Sequence, residues 1–212
     1  MERGRSLQLA GGVADFAPVR GAIRHRLQGQ QGPIFPRAGE PSPKRRASAA
    51  VLVPLIAAET GTRVILTRRA AHLAAHAGQI SFPGGRVDDT DSCVVGAALR
   101  EAEEEIGLDP HAVDILGQMG TYLTVTGYLV TPVVAAITAS VALRANPDEV
   151  DDIFTVPLSF LRDPDHRRTE RLRHEGRGHT VYRYQYGPHD IWGATAAMLV
   201  HLVDHIVQDP AA

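Results

Sequence analysis

The sequence has little cysteine, little net charge and no long uninterrupted apolar run. It has one cysteine, Cys93, which excludes an intrachain disulfide framework and is typical of a reducing compartment. A formal net charge of -2 gives neither the basic excess of a nucleic-acid-binding protein nor the acidic excess of a disordered one. The first residues lack the apolar run of a signal peptide, and the apolar stretches 128–143 and 191–207 are interrupted by proline or polar residues. We therefore expect a soluble, cytoplasmic protein with no membrane or nucleic-acid partner.

Composition divides the chain at about residue 48. Residues 1–48 contain five prolines and the basic run PKRR, and the segment FAPVRGAIRHRLQ predicts one short helix. This part is interpreted as an N-terminal arm with a helix and a Pro-rich linker. Residues 49–208 have a denser apolar pattern and predict one domain, which is long enough to bury a sizeable core.

The apolar pattern from residue 49 onward mixes strands and helices without a βαβα repeat. The runs AAVLVPLIAA and TRVILTRR predict two strands joined by a turn, and TYLTVTGYLVTPVVAAI predicts one or two more. Helices are predicted over 92–106 and over DIWGATAAMLVHLVDHIV, the latter with Asp190 as its N-cap, while TVYRYQY alternates like an edge strand. The fold class predicted from this order is α+β, a sandwich with a mixed sheet.

The segment ALREAEEEIGL, residues 98–108, places four glutamates within five positions. On a helix, Glu101, Glu104 and Glu105 lie within an arc of about 100°, whereas Glu103 points elsewhere. Each like-charged i,i+4 pair costs about 0.2–0.5 kcal/mol, and the helix dipole disfavours negative charge in the last turns. A divalent cation would offset both penalties, and ligation by oxygen alone favours Mg²⁺ or Mn²⁺. The simpler alternative is a solvated acidic face with Arg100 as a partial counter-charge.

The same helical geometry predicts which face of the segment packs on the sheet. The apolar stripe consists of Val95, Leu99, Ala102 and Ile106. Immediately upstream, FPGGRVDDTD is a glycine turn that lets backbone groups approach a metal or a phosphate. Metal ions held beside such a turn indicate metal-assisted attack of water on a phosphoryl group.

The segment GGRVDDTDSCVVGAALREAEEEIGL resembles the Nudix box, the signature of hydrolases that act on nucleoside diphosphates linked to another moiety. The spacing from Gly85 to Arg100 is one residue longer than the family pattern, and Asp91 or Ser92 stands where the family has an early glutamate. The resemblance implies the Nudix fold, an α/β/α sandwich with a mixed β-sheet. The second half of the box is matched fully by Arg100, Glu101, Ala102, Glu104, Glu105, Gly107 and Leu108.

The upstream segment ILTRRAAHLAAHAGQISFPGG resembles one branch of that family, the coenzyme A pyrophosphatases. The branch has an arginine where this chain has Ala74. The resemblance covers about residues 47–207 and implies cleavage of coenzyme A or acyl-CoA to 3′,5′-ADP and 4′-phosphopantetheine or its acyl form. The matching positions are Leu66, Thr67, Arg69, Ala70, Gly78, Phe82, Pro83, Gly84 and Gly85.

The resemblance also implies roles for individual residues. Glu101, Glu104, Glu105 and the Gly85 carbonyl would be ligands of Mg²⁺ or Mn²⁺, with Glu104 a ligand or the general base. Arg100 completes the catalytic set by orienting a ligand carboxylate through a bidentate pair. The substrate-binding residues would be Arg69, Phe82 and Gly84. For Trp192, packing in the core is preferred over stacking on an adenine.

Two alternatives stay open. The first keeps the chemistry but changes the small-molecule substrate to a nucleotide sugar or a dinucleotide, and Ala74 is the residue that supports it. The second is a nucleotide-sensing module without catalysis, which would be expected to lose box carboxylates that this chain retains. The sequence leaves the oligomeric state open, a homodimer included.

Overall fold

The computed structural model describes residues 6–9, 17–28, 47–124, 127–174 and 177–207. The predicted Pro-rich linker lies outside these ranges. The strands are β1 Ser6–Leu9, β2 Ala47–Ala58, β3 Gly61–Arg69, β4 Ile80–Ser81, β5 Gly84–Arg86, β6 Val113–Gln118, β7 Tyr122–Leu123, β8 Tyr128–Ile137, β9 Val141–Arg144, β10 Val150–Pro157, β11 Arg167–His174, β12 Arg177–Tyr186 and β13 His189–Trp192. The α-helices are α1 Ala17–Gln28, α2 Val94–Ile106, α3 Leu158–Arg162 and α4 Gly193–His201, and a π-helical turn, Leu202–Ile206, follows α4.

The largest sheet is mixed, which confirms the predicted fold class. Its strands run in the order β10-β3-β2-β8-β6, with β4, β5 and β7 attached to β3, β2 and β8. The β2–β8 pair is parallel, whereas the other pairs are antiparallel. Strands β11, β12 and β13 form a separate three-stranded sheet, and β1 pairs with β9.

Strand β2 places the glycine turn near the centre of the large sheet. Only its last four residues, 55–58, pair with β3, so the two strands diverge towards the start of β2. Strand β5 pairs with residues 49–51 on the side of β2 from which β3 diverges. The amide of Leu52 donates to the carbonyl of Pro83 at 2.9 Å. The turn before α2 is therefore fixed by central-strand hydrogen bonds.

The large sheet is covered on both faces. We name the core on one face the α2-side core; its fully buried members include Leu52, Ile65, Ala98, Ile106 and Val133. We name the core on the other face the α4-side core; its members include Ile23, Leu66, Tyr184, Ile191 and Leu199. Helices on both faces of a mixed sheet give the predicted α/β/α sandwich.

The helix predicted in the N-terminal arm is confirmed as α1. Its residues Ile23 and Leu27 are buried in the α4-side core, and its Arg24 donates to the carbonyl of Ile115 in β6 at 3.1 Å. On the other face, β1 pairs with β9 through residues 6–9. The described parts of the arm thus pack on the sandwich, while the boundary at residue 48 stays a prediction.

Two local predictions in the C-terminal part are wrong. Asp190 lies inside β13, and the N-cap of α4 is Trp192. Strand β12 is not an edge strand, because it lies between β11 and β13. Neither partner strand was visible as a strong alternating pattern. Among the described helices, none combines the length and apolar character that a membrane span requires.

Candidate active site

Helix α2 has defined caps at both ends. At its N-terminus the amide of Gly96 donates to the Sγ of Cys93 at 3.4 Å, so the helix begins at Val94 rather than at the predicted 92. It ends as predicted at Ile106, because Gly107 adopts a left-handed conformation with φ of 64° and donates back to the carbonyl of Glu103. The caps fix the register in which the box side chains face the sheet.

The buried face of α2 is rotated relative to the predicted stripe. Val95 and Leu99 are only partly buried, at the edge of the α2-side core. Alanines on the buried face let the helix approach the sheet closely. The rotation also places Glu105 on this buried face, between α2 and the sheet. The fully buried residues are Ala97, Ala98, Ala102, Glu105 and Ile106.

Glu105 is the most deeply buried carboxylate of the box, with 2% of its surface exposed. One oxygen accepts the amide of Gly84 at 3.2 Å, and the other lies 3.7 Å from Nη1 of Arg69. Burial raises the pKa of Glu105 to about 8, although the Gly84 bond and Arg69 favour the charged form. An additional positive charge in the site would therefore stabilise the ionised form of Glu105.

Glu101 lies directly against the glycine turn. A methyl group on Gly85 would stand 2.6 Å from the Glu101 carboxylate, so a larger residue at this position would displace the end of the Glu101 side chain. Burial raises the pKa of Glu101, while Arg100 opposes the shift. The backbone of Gly85 and the Glu101 carboxylate are therefore adjacent, as the predicted ligand set requires.

Arg100 connects the helix to the preceding loop. Its Nε and Nη2 donate to the two carboxylate oxygens of Asp91 at 2.9 and 3.0 Å. Its Nη1 lies 3.0 Å from Glu104 and 3.1 Å from Glu101. The sequence placed the bidentate pair of Arg100 on a ligand carboxylate, but the structure gives it to Asp91, and Glu101 and Glu104 each receive a single contact.

Of the two residues near the position of the family's early glutamate, Asp91 is the one that pairs with Arg100. The Asp91 side chain is 5% exposed, and its bond to Arg100 lowers its pKa. Its carboxylate also accepts the amide of Asp88 at 2.8 Å, which closes the loop on itself. The extra residue between Gly85 and Arg100 is thus accommodated within a hydrogen-bonded loop.

Glu104 differs from the other two box carboxylates because its side chain is 53% exposed. Its contact with Arg100 is an i,i+4 pair on the helix surface. The predicted convergence of three glutamates thus becomes one buried carboxylate (Glu105), one partly buried carboxylate (Glu101) and one exposed neighbour (Glu104).

The three predicted substrate-binding residues have different environments. Arg69 is half-buried, and its buried Nε has no hydrogen-bond partner among the described residues. Gly84 has φ of +151°, and a methyl group there would lie 2.4 Å from the carbonyl oxygen of Ala50. Phe82 is fully buried in the α4-side core, which does not support a substrate contact and assigns it to shaping the loop.

Sequence reasoning missed Glu149, which precedes β10. Its negative charge is a minor cause of the raised pKa of both Glu101 and Glu105, after burial as the main cause. Its carbonyl accepts the amide of Ala70 at 2.8 Å, and the amide of Asn146 in the same turn donates to the carbonyl of Glu105 at 2.9 Å. The available signal was an acidic residue in the turn NPDEV, directly before a strand.

The donors of the site suit a hard divalent cation, although the side chains do not already surround one. Within the described ranges, no three acidic, histidine or cysteine side chains form a ready metal cage. Arg100 contacts Glu101 and Glu104, and the Gly84 amide takes an oxygen of Glu105. The carboxylates and the nearby Gly85 carbonyl offer oxygen ligands only. Such a ligand set fits Mg²⁺ or Mn²⁺.

Trp192 was expected in the core, but this prediction is wrong. The residue is 37% exposed on β13, because the side chains that alternate with it, His189 and Ile191, take the inward positions. The Arg183 guanidinium lies 6.0 Å from the centroid of the Trp192 ring.

Comparison with known proteins identifies the family. The model of the NUDIX domain matches residues 46–175. "Uncharacterized Nudix hydrolase NudL" of Photorhabdus laumondii is 41% identical over 170 residues, which cover 78% of this chain and 90% of that protein. The protein of the same name in Escherichia coli O157:H7 is 41% identical over 162 residues, which cover 76% of this chain and 84% of that protein. A crystal structure of the Mycobacterium smegmatis Nudix hydrolase RenU is 21% identical with a TM-score of 0.44, and the match covers 56% of this chain and 74% of that one. The matches to the domain model and to the two relatives show that this chain belongs to the Nudix hydrolase family.

Proposed function

We propose that this Nudix hydrolase cleaves the diphosphate of coenzyme A or acyl-CoA, releasing 3′,5′-ADP and 4′-phosphopantetheine or its acyl form. The observation that carries the proposal is the position of Glu105, which is buried between the Gly84 amide and Arg69. These three residues join the Nudix box to the segment 66–85 that resembles the coenzyme A branch.

The metal sites of the proposed enzyme would use Glu101, Glu105 and the Gly85 carbonyl, with Glu104 as a further ligand. A bound Mg²⁺ or Mn²⁺ supplies charge neutralisation at the diphosphate and a more acidic bound water. Arg100 and Asp91 position this set by holding the loop 86–91 against α2. Exclusion of water around Glu105 strengthens the electrostatic interactions made there.

Arg69 is the proposed phosphate-binding residue. Its guanidinium stands at the end of β3 beside Glu105, and the side chain is 28% exposed, so its accessible N–H groups could donate to a phosphate oxygen. Glu104, exposed on α2 beside Glu101 and Glu105, would take a proton from an attacking water, and Glu149 is a second residue that could fill this role.

A second candidate function is hydrolysis of another nucleoside diphosphate derivative, such as a nucleotide sugar or a dinucleotide. Ala74 favours it, because this exposed residue gives the loop after β3 no positive charge where the coenzyme A branch has an arginine. The non-catalytic alternative is disfavoured by the retention of Glu101, Glu104 and Glu105.

The test is incubation with coenzyme A and Mg²⁺ or Mn²⁺, with the products separated by chromatography. We expect 3′,5′-ADP from the wild-type protein only when metal is present, and a loss of about 100-fold or more in Glu105→Gln. Glu103→Gln, an exposed change on the same helix, is the matched control and should retain full activity.

The same incubation with a nucleotide sugar and a dinucleoside polyphosphate separates the candidates. Cleavage of one of these without cleavage of coenzyme A would move the assignment to the second candidate. Near-wild-type turnover by Glu105→Gln would contradict the role of the buried carboxylate itself.

A further inference from the structure

Strand β10 contains a β-bulge at Asp151. Val150 pairs with Arg69 of β3, but in the register of these two strands Asp151 is passed over and is therefore an extra residue. Val150 and Ile153 both belong to the α2-side core, although residues three apart in a regular strand face opposite sides. The bulge thus frees the Asp151 side chain from the alternation that the rest of β10 follows.

The Asp151 carboxylate binds the loop that follows β3, residues 70–79, which we name the β3–β4 loop. Its Oδ2 accepts the amide of Ala71 at 3.0 Å. A second side chain makes a contact in the other direction, because Nε2 of His72 lies 3.1 Å from the carbonyl oxygen of Asp148. A carbonyl oxygen can only accept, so Nε2 carries the proton in this contact. One side chain from each segment therefore joins the loop to β10 and the turn before it.

The three residues that follow Arg69 all bind the same segment, residues 148–151. Besides the two side-chain contacts, the amide of Ala70 donates to the carbonyl of Glu149 at 2.8 Å. On its other edge Arg69 is bonded to the far end of the β3–β4 loop, since its amide donates to the carbonyl of Gln79 at 3.0 Å. The backbone of Arg69 is thus held between the two ends of the loop and the segment 148–151.

The bulge also determines which side chain stands next to Arg69. Residues directly opposite in an antiparallel pair share a face, so the apolar Val150 lies beside Arg69 on the α2 side of the sheet. Without the extra residue, Asp151 would stand opposite Arg69 instead. Its carboxylate would then compete with Glu105, 3.7 Å from Nη1 of Arg69, and with any phosphate for the same guanidinium. The bulge removes this carboxylate from the guanidinium and directs it to the loop.

We propose that Asp151 and His72 are positioning residues, which hold the β3–β4 loop on the segment 148–151 and so keep Arg69 in place beside Glu105. This inference rests on the proposed function, in which Arg69 binds a substrate phosphate. Both residues act on the substrate through Arg69 alone. Loss of either bond lets the start of the loop move away from β10, which changes the direction from which the guanidinium meets a phosphate.

The test is calorimetric binding of ADP to the full chain in the presence of Mg²⁺, because ADP has a diphosphate but no linked moiety. Asp151→Ala removes the acceptor and should weaken ADP binding about five- to tenfold. Asp151→Asn keeps an oxygen for the Ala71 amide and should bind ADP nearly as well as the wild type. Asp148→Ala is the matched control, because it removes an exposed carboxylate from the same segment but leaves the carbonyl that accepts from His72. It should leave the affinity unchanged.

A double-mutant cycle separates positioning of Arg69 from a general loss of stability. Because Asp151 acts through Arg69, the double variant Arg69→Met/Asp151→Ala should bind ADP no more weakly than Arg69→Met alone. His72→Leu removes the donor and should resemble Asp151→Ala. His72→Gln keeps an N–H donor and should restore binding.

Four results would overturn the assignment: no ADP binding by the wild-type protein, unchanged affinity in Asp151→Ala, equal losses in Asp151→Asn and Asp151→Ala, or a further loss in the double variant. Thermal unfolding shows whether each variant is folded, and His72→Leu replaces Asp151→Ala in the cycle if the latter is not. Hydrogen exchange at the Ala71 amide should be faster in Asp151→Ala, which checks the contact without any ligand. Neither binding nor exchange depends on turnover, so a failure of the proposed hydrolysis would be recognised separately.

Discussion

Glu105 links the stability of the metal-free protein to pH. Its pKa is about 8 in the folded chain because of burial, against an ordinary value of 4.5. Between these two values the folded protein keeps a proton that the unfolded chain releases, so the free energy of unfolding falls as pH rises. The full effect of this group is on the order of 5 kcal/mol between pH 4.5 and 8.

Glu105→Gln should remove most of this pH dependence in protein treated with a chelator. Glutamine preserves the shape of the side chain but carries no charge, so we expect the variant to be more stable than the wild type at pH 8 and similar to it near pH 4.5. Urea unfolding at several pH values measures the difference. Glu103→Gln should follow the wild-type curve. If the free energy of unfolding of Glu105→Gln changed with pH in the same way as that of the wild type, Glu105 would not be the source of the pH dependence.

Asp91 is the residue that holds Arg100 in place. Asp91→Asn removes the charge and one acceptor of the bidentate pair, which frees Arg100 to bind Glu101 and Glu104 more tightly. We expect a roughly 10- to 100-fold loss of metal-dependent turnover. Asp88, 60% exposed and 3.8 Å from Arg100, provides the control. Equal losses in Asp88→Asn and Asp91→Asn would assign the effect to general charge in the loop.

Helical spacing predicted the acidic arc of α2 but not the different environments within it. Glu101, Glu104 and Glu105 share that arc, yet only Glu105 is fully buried. The difference arises from Arg69 and Gly84, which are distant in sequence and reach the helix through sheet pairing. The helical periodicity of α2 alone therefore cannot indicate which of the three glutamates is buried.

At the scale of elements, α1 is an integral part of the α4-side core. Ile23→Ala should lower the free energy of unfolding by about 2–5 kcal/mol, because Ile23 is completely buried. His25→Ala, at an exposed position of the same helix, should change it by less than about 0.5 kcal/mol. Chemical denaturation measures both values. An equally small decrease in the free energy of unfolding for both variants would show that α1 is not packed on the sheet in solution.

The elements predicted best from sequence are those whose own residues specify their ends. Gly107 ends α2 by its left-handed conformation, and the apolar runs of β2 and β3 are long enough to be recognised. Strand β13 was misassigned because its four residues precede a helix without a polar N-cap. Its pairing with β12 is a tertiary contact that local pattern does not report.

At the scale of the whole molecule, β1 supports the turn that carries Glu149. Leu7 and Leu9 pack against the α2-side core, and β1 pairs with β9, which leads directly into that turn. The double change Leu7→Ala and Leu9→Ala should cost roughly 1–2 kcal/mol of local stability. Hydrogen exchange at the Asn146 amide should then be about tenfold faster. Gln8→Ala, on the exposed face of β1, should leave the exchange rate unchanged.

The hydrogen bond from Asn146 to the carbonyl of Glu105 joins the two halves of the chain. The box lies before β6, whereas β10, the outer neighbour of β3, and the turn carrying Glu149 come after β9. Division of the polypeptide in the connection between β8 and β9 would leave the glutamates of α2 on one fragment and Glu149 on the other. The first fragment would lack β10 beside β3 and the Asn146 bond to Glu105, so we expect hydrolysis to return only when the two fragments reunite.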